Sequence, residues 1–122
     1  MTQIAFLFYE DMTALDAVGP YEILARLPGA DVKFVASTPG PINTDVGLVL
    51  TADSALEDVP APDIVVVPGG PGTGPAFSDA AAVEWLREAH ATSRSIWTRR
   101  RRRRWPRLAT HSLSLLRWLR SF

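Results

Sequence analysis

The segment PAPDIVVVPGG (Pro60–Gly70) restricts the fold more than any other part of the chain. Ile64, Val65, Val66 and Val67 are all β-branched, and none is polar enough to be turned toward water. A short run of this kind is a strand covered on both faces, as in a parallel sheet flanked by helices. Pro68-Gly69-Gly70 then ends it sharply, since proline cannot donate to a ladder and glycine weakens strands.

The neighbouring segments supply what such a strand needs. Gln3–Tyr9 (QIAFLFY) is a second continuous apolar run, too short for a helix and long enough for a buried strand. In Thr13–Leu27, residues Leu15, Val18, Ile23, Leu24 and Leu27 fall near helical spacing, with Gly19-Pro20 expected to break or restart the helix. Ala30–Thr38 alternates as a strand, Pro39-Gly40-Pro41 reads as a turn, and Val46–Leu56 reads as a short strand followed by a polar bend. Asp79–Ala91 is a helix with Asp79 or Ser78 as N-cap; Val83, Leu86 and His90 form its buried stripe, with Ala82 and Ala89 beside it. Ser93–Thr98 starts another strand. This strand–helix rhythm predicts an α/β fold: a doubly wound, mostly parallel sheet with helices on both faces.

Charge divides the chain in two. Residues 1–93 hold all 13 acidic groups and three basic ones, a balance of −10, whereas residues 94–122 hold ten arginines and no acid. The run Arg99–Arg104 falls where the last strand should continue. A buried, unpaired guanidinium costs several kcal/mol, so six in a central strand would overwhelm a small domain. The expected division is therefore a partial domain over 1–98 and a basic Arg/Leu/Trp-rich tail over 99–122, with the sheet incomplete at its C-terminal side.

Three origins for the tail stay open. Its composition is that of GC-rich codons read out of frame. It is also a candidate basic module, in which Arg99, Arg100, Arg101, Arg102, Arg103 and Arg104, with Trp105 and Trp118, would meet nucleic-acid phosphates and bases. Finally, His111–Phe122 carries Leu115, Leu116, Leu119 and Phe122 at helical spacing, suited to an anionic surface or to the domain's own exposed edge.

The chain has no cysteine, which excludes disulfides, thiolate metal sites and thiol catalysis within it. Two histidines in dissimilar contexts, His90 and His111, give a metal site little basis. The start lacks a basic, apolar signal pattern and no stretch approaches a membrane span, so a cytoplasmic location is expected.

In a doubly wound sheet, ligands bind beyond the carboxyl ends of the strands. Three segments sit there: Glu10–Asp16, Pro68–Gly74 and whatever follows Thr98. PGGPGTG (Pro68–Gly74) is either a turn that needs small residues or an anion or oxyanion cradle built from the Gly69 and Gly70 amides. It is neither a Walker loop nor a dinucleotide fingerprint, because the following residues and the spacing are wrong for both. Glu10, Asp11 and Glu22 read as solvated surface or caps. Asp16, between Leu15 and Ala17 and ahead of Gly19-Pro20, is the exception: a carboxyl held partly out of water can donate or shuttle a proton.

Taken together, LDAVGPYEIL, DIVVVPGGPGTGP and WLREAHATSRSIWT resemble the DJ-1/PfpI superfamily, the glutamine-amidotransferase-like fold. Within it the chain is most similar to the isonitrile hydratase-like branch, which also resembles the sensor half of some AraC-type regulators. The resemblance covers residues 3–98. It implies a flavodoxin-like fold, a homodimer, a small-molecule substrate and no metal or organic cofactor. It implies Asp16 as acid/base partner, Gly69 and Gly70 as oxyanion amides, and a nucleophilic cysteine on a strand-to-helix turn near position 102. Arg102 stands there instead. The expectation is a chain of isonitrile hydratase-like lyase lineage that is inactive as written; the alternatives are a non-catalytic sensor domain or a binder of nucleic acid or anionic surfaces through the basic tail.

Overall fold

A computed structural model of the chain describes residues 1–98. The tail, including Arg99–Arg104, the Arg102 position and the segment 111–122, lies outside the described residues.

Among the described residues, five parallel strands form the central sheet: β1 (Thr2–Leu7), β2 (Ala30–Ala36), β5 (Ser54–Ala55), β6 (Ile64–Val67) and β7 (Ser95–Thr98), in the order β5-β2-β1-β6-β7. β1 lies in the middle, with Ile4 opposite Val32 on one side and opposite Ile64 on the other. Alternation along the strands divides the core between the two faces. Ile4, Phe6, Phe8 and Val66 face helix α1 (Leu15–Leu24), while Ala5, Leu7, Val65 and Val67 face helix α3 (Ala80–Thr92). This is why Ile4–Phe8 and Ile64–Val67 read as unbroken apolar runs: where both faces are covered, each position needs an apolar residue.

Both helices differ in detail from the sequence expectation. α1 runs straight through Gly19-Pro20 instead of breaking there. Proline removes one intrahelical bond, but Ala17, Tyr21 and Leu24, at i, i+4 and i+7, anchor the helix on the sheet. Tyr21 meets Phe6 edge-on at 6.2 Å and Phe34 at 5.5 Å. Leu15, Val18 and Ile23 consequently point outward and are exposed. In α3 the buried stripe is Ala82, Trp85 and Ala89, one position round from the expected one, and His90 is exposed. Trp85 decides this, because its ring fills the space under the sheet while its indole N–H donates to the Val59 carbonyl at 2.8 Å. Asp79 caps the helix, its carboxylate accepting from the Ala81 and Ala82 amides.

Between β2 and β6 lies a second, antiparallel pair, β3 (Gly40–Asn43) with β4 (Val49–Ala52). Gly40 and Pro41, expected as a turn, are the first residues of β3. A two-turn helix, α2 (Thr73–Ser78), was not evident in the sequence; it follows the glycine loop directly. Among the described residues no helix is long and apolar enough to cross a membrane.

Candidate functional site

The connection leaving β1 runs to β2 on one side of the sheet, and the one leaving β6 runs to β7 on the other. The crevice between the carboxyl ends of β1 and β6 is therefore the point where strand order reverses, the usual place for a ligand in such sheets. Two loops meet there: residues 8–14 after β1, and Pro68–Gly72 after β6.

The loops touch backbone to backbone. Thr13 N–H donates to the Gly69 carbonyl at 2.8 Å, and Gly72 N–H donates to the Asp11 carbonyl at 3.1 Å. Only glycine fits at the two contact points. Gly70 has φ +146°, and a Cβ there would sit 2.7 Å from both the Asp11 carbonyl oxygen and the Thr13 nitrogen. At Gly72 a Cβ would run into the Glu10 carbonyl oxygen. Asp11 takes a left-handed conformation, φ 60°, which a short polar side chain tolerates.

The β3–β4 pair braces the first loop from the other side. Asp11 N–H donates to the Asn43 carbonyl and Asp45 N–H to the Met12 carbonyl, both at 2.9 Å; the Thr13 hydroxyl donates to the Asp45 carboxylate at 2.8 Å. Met12 is fully buried beneath these contacts.

Asp16, in the first turn of α1, is brought to the glycine loop: its carboxylate accepts from Gly69 N–H at 3.2 Å. It is half-buried. Of the two amides singled out in the sequence, Gly69 thus already serves Asp16, while Gly70 N–H meets no acceptor among the described residues. Glu10, read as a surface carboxylate, is exposed and accepts from Asn43 N–H at 3.3 Å.

Sequence reasoning passed over two hydroxyls. Tyr9, just past β1, donates to the Pro68 carbonyl and lies 3.3 Å from the Thr73 hydroxyl. Burial raises the Tyr9 phenol above the usual tyrosine range, with the Asp16 and Asp45 carboxylates adding to the effect and the Thr73 contact opposing it. Thr73 turns back to donate to the Gly70 carbonyl at 2.6 Å. The available signal was the Gly-Thr-Gly spacing, which suits a hydroxyl that closes a turn on its own backbone.

A cleft of about 550 Å³ opens beyond β1 and β2, lined by Phe8, Tyr9 and Gly72 of the two loops and by Ser37, Pro75 and Asp79 among others. Asp16, Gly69 and Gly70 lie outside it. The Ser37 hydroxyl donates to the Asp79 carboxylate; this bond, together with the Ala81 and Ala82 amides, holds that carboxyl below its usual range against the effect of burial. Among the described residues no three His, Cys, Asp or Glu side chains converge as metal ligands would.

Comparison with known proteins gives this geometry a lineage. The model of the DJ-1/PfpI family matches residues 2–98. The chain is 36% identical over 94 residues to an isonitrile hydratase of Pseudomonas putida, covering 77% of this chain and 41% of the relative. Its fold superposes with a TM-score of 0.76 on a ThiJ/PfpI family protein of Pseudomonas syringae, at 31% identity, covering 80% of this chain and 41% of that one. A DJ-1 superfamily protein of Salmonella typhimurium, solved as a cysteine-to-alanine mutant, follows with a TM-score of 0.73 at 25% identity, covering 80% of this chain and 55% of that one. The chain thus spans about half the length of these relatives, or less.

Proposed function

The chain belongs to the DJ-1/PfpI family, and on that premise we propose that residues 1–98 carry two of the three loops of an isonitrile hydratase-like site. Asp16 is the acid/base partner, and the Gly69-Gly70 loop presents backbone amides to a small-molecule substrate. The observation that carries this reading is the Asp16–Gly69 hydrogen bond at 3.2 Å, which joins the carboxylate to the glycine loop at the strand-order reversal.

In the reaction of that lineage, a thiolate adds to the terminal carbon of an isocyanide and that carbon takes up a proton, giving a thioimidate. Water then adds at the same carbon while the nitrogen takes up a proton, and the thiol leaves with the hydroxyl proton, giving an N-substituted formamide. Asp16 is placed to move those protons. The third loop would supply the sulfur. No cysteine occurs in the 122 residues, and arginine cannot act as that nucleophile. The chain as written is therefore read as catalytically silent. An assay of purified protein on an alkyl isocyanide tests this. The expected rate equals that of buffer, and turnover abolished by Asp16→Ala would overturn the reading.

We further propose a homodimer. Its support is two groups of exposed apolar residues, Leu15, Val18 and Ile23 on α1 and Val46, Leu48 and Val49 on and next to β4. The run Arg99–Arg104 favours a second reading, a non-catalytic module that holds nucleic acid through its phosphates. Oligonucleotide affinity that falls steeply with added salt would support it, and no binding at low salt would remove it.

A further inference from the structure

Resting on the reading that the glycine loop faces a ligand, we propose that Tyr9 and Thr73 are positioning residues that aim the Gly70 N–H into the crevice. Three consecutive peptide groups are held from outside. The Pro68–Gly69 peptide is gripped at both ends: its carbonyl accepts from the Tyr9 hydroxyl, and its N–H donates to Asp16. The carbonyl of the Gly69–Gly70 peptide accepts from Thr13 N–H. The Gly70–Pro71 carbonyl accepts twice from Thr73, from the hydroxyl at 2.6 Å and from the N–H at 3.2 Å. A peptide group is planar, so fixing the carbonyl of Gly69 and the planes on either side fixes the direction of the Gly70 N–H.

Glycine makes this external grip necessary. Gly69 and Gly70 have no side chains to restrict their dihedrals, and Gly70 occupies a region open to few other residues. Left alone, the loop would sample many orientations, and an amide that must be ordered on binding loses affinity. The two hydroxyls also have compatible proton assignments. Thr73 commits its only proton to the Gly70 carbonyl, so the Tyr9 proton goes to Pro68, with the Thr73 oxygen 3.3 Å away as a secondary acceptor. Tyr9 packs against the apolar clusters on both faces of the sheet, so its ring is itself held in place.

The test is a titration of the full chain with N-methylformamide, a minimal N-substituted formamide, followed at the Gly70 amide by NMR. In the parent protein the Gly70 signal is expected to move saturably. Tyr9→Phe and Thr73→Val should each weaken that response about fivefold, the factor corresponding to one net hydrogen bond. Each should also lower the Gly70 order parameter, while Thr73→Ser, which keeps the hydroxyl, restores both. Equal responses in all four proteins would overturn the positioning role and leave the cradle reading intact. A Gly70 signal that does not move in the parent would instead remove the cradle reading, and this proposal with it. Should Tyr9→Phe fail to fold, the contrast between Thr73→Val and Thr73→Ser decides: equal behaviour of the two refutes the proposal.

Discussion

Replacing Gly70 by alanine isolates the contact on which the site depends. The substitution has two costs. A side chain at φ +146° is strained by about 1–3 kcal/mol. The new methyl also meets the Asp11 oxygen and the Thr13 nitrogen at 2.7 Å and the Met12 Cα at 2.9 Å, all of it backbone that cannot swing aside. Overpacking of that kind adds about another 1–3 kcal/mol. Together these give roughly 2–6 kcal/mol, against a total of about 5–15 kcal/mol for a small domain. At about 4–8 °C per kcal/mol for a domain of this size, even the lower figure lowers the melting temperature by roughly 8 °C. Thermal unfolding followed by circular dichroism measures it. Gly19→Ala is the internal control: it lies inside α1 with nothing within 4 Å of its Cβ position, and it should gain up to about 1 kcal/mol. A Gly70→Ala protein melting within about 2 °C of the parent would refute the claim that the two loops meet at backbone contact.

Other outcomes follow from the same structure. Trp85→Ala should cost about 3–5 kcal/mol by emptying the α3 side of the core, measured as a fall in the denaturant midpoint at unchanged slope. The depressed Asp79 carboxyl stabilises the fold above the unfolded carboxylate range, near pH 3.9, and that contribution is lost as pH falls through its lower folded value. Ser37→Ala and Asp79→Asn should therefore flatten the acid limb of the stability–pH curve, and Asp79→Asn should leave the cap at neutral pH largely intact, since asparagine also caps well. If the proposed homodimer forms through the exposed apolar residues, Val46→Glu with Leu15→Glu should shift the sedimentation coefficient to that of a monomer without lowering helix content; a parent protein that already sediments as a monomer refutes it.

The sheet was legible in the sequence because its central strands carry unbroken apolar runs, Ile64–Val67 and Ile4–Phe8, that are too short for helices. The exposed and buried sides of the helices were harder to tell apart. α1 is apolar nearly all round, so Leu15, Val18 and Ile23 fit the helical period as well as the true anchors, Ala17, Tyr21 and Leu24. The Gly19-Pro20 pair looked like a break because local chemistry argues for one, and packing against the sheet prevails. In α3 the small residues Ala82 and Ala89 gave way to Val83 and Leu86 in a reading weighted by hydrophobicity, whereas in the structure small residues let the helix approach and Trp85 fills the space. At the site, Asp16 and the glycine loop were found by residue type and position. Their mutual hydrogen bond, the brace from the β3–β4 pair and the Tyr9–Thr73 latch were not, because each joins residues 32 to 64 positions apart.

The placement of β1 at the middle of the sheet has a consequence for the birth of the molecule. Ile4 waits for Ile64, sixty residues downstream, before its second neighbour exists. At a synthesis rate of about 5–20 residues per second, that is a delay of roughly 3–12 s. Throughout it, Ile4, Phe6 and Phe8 have at most one neighbouring strand, β2. On the ribosome, the central strand is the one that waits for its second neighbour, so nascent chains paused before Ile64 should be the ones that chaperones hold.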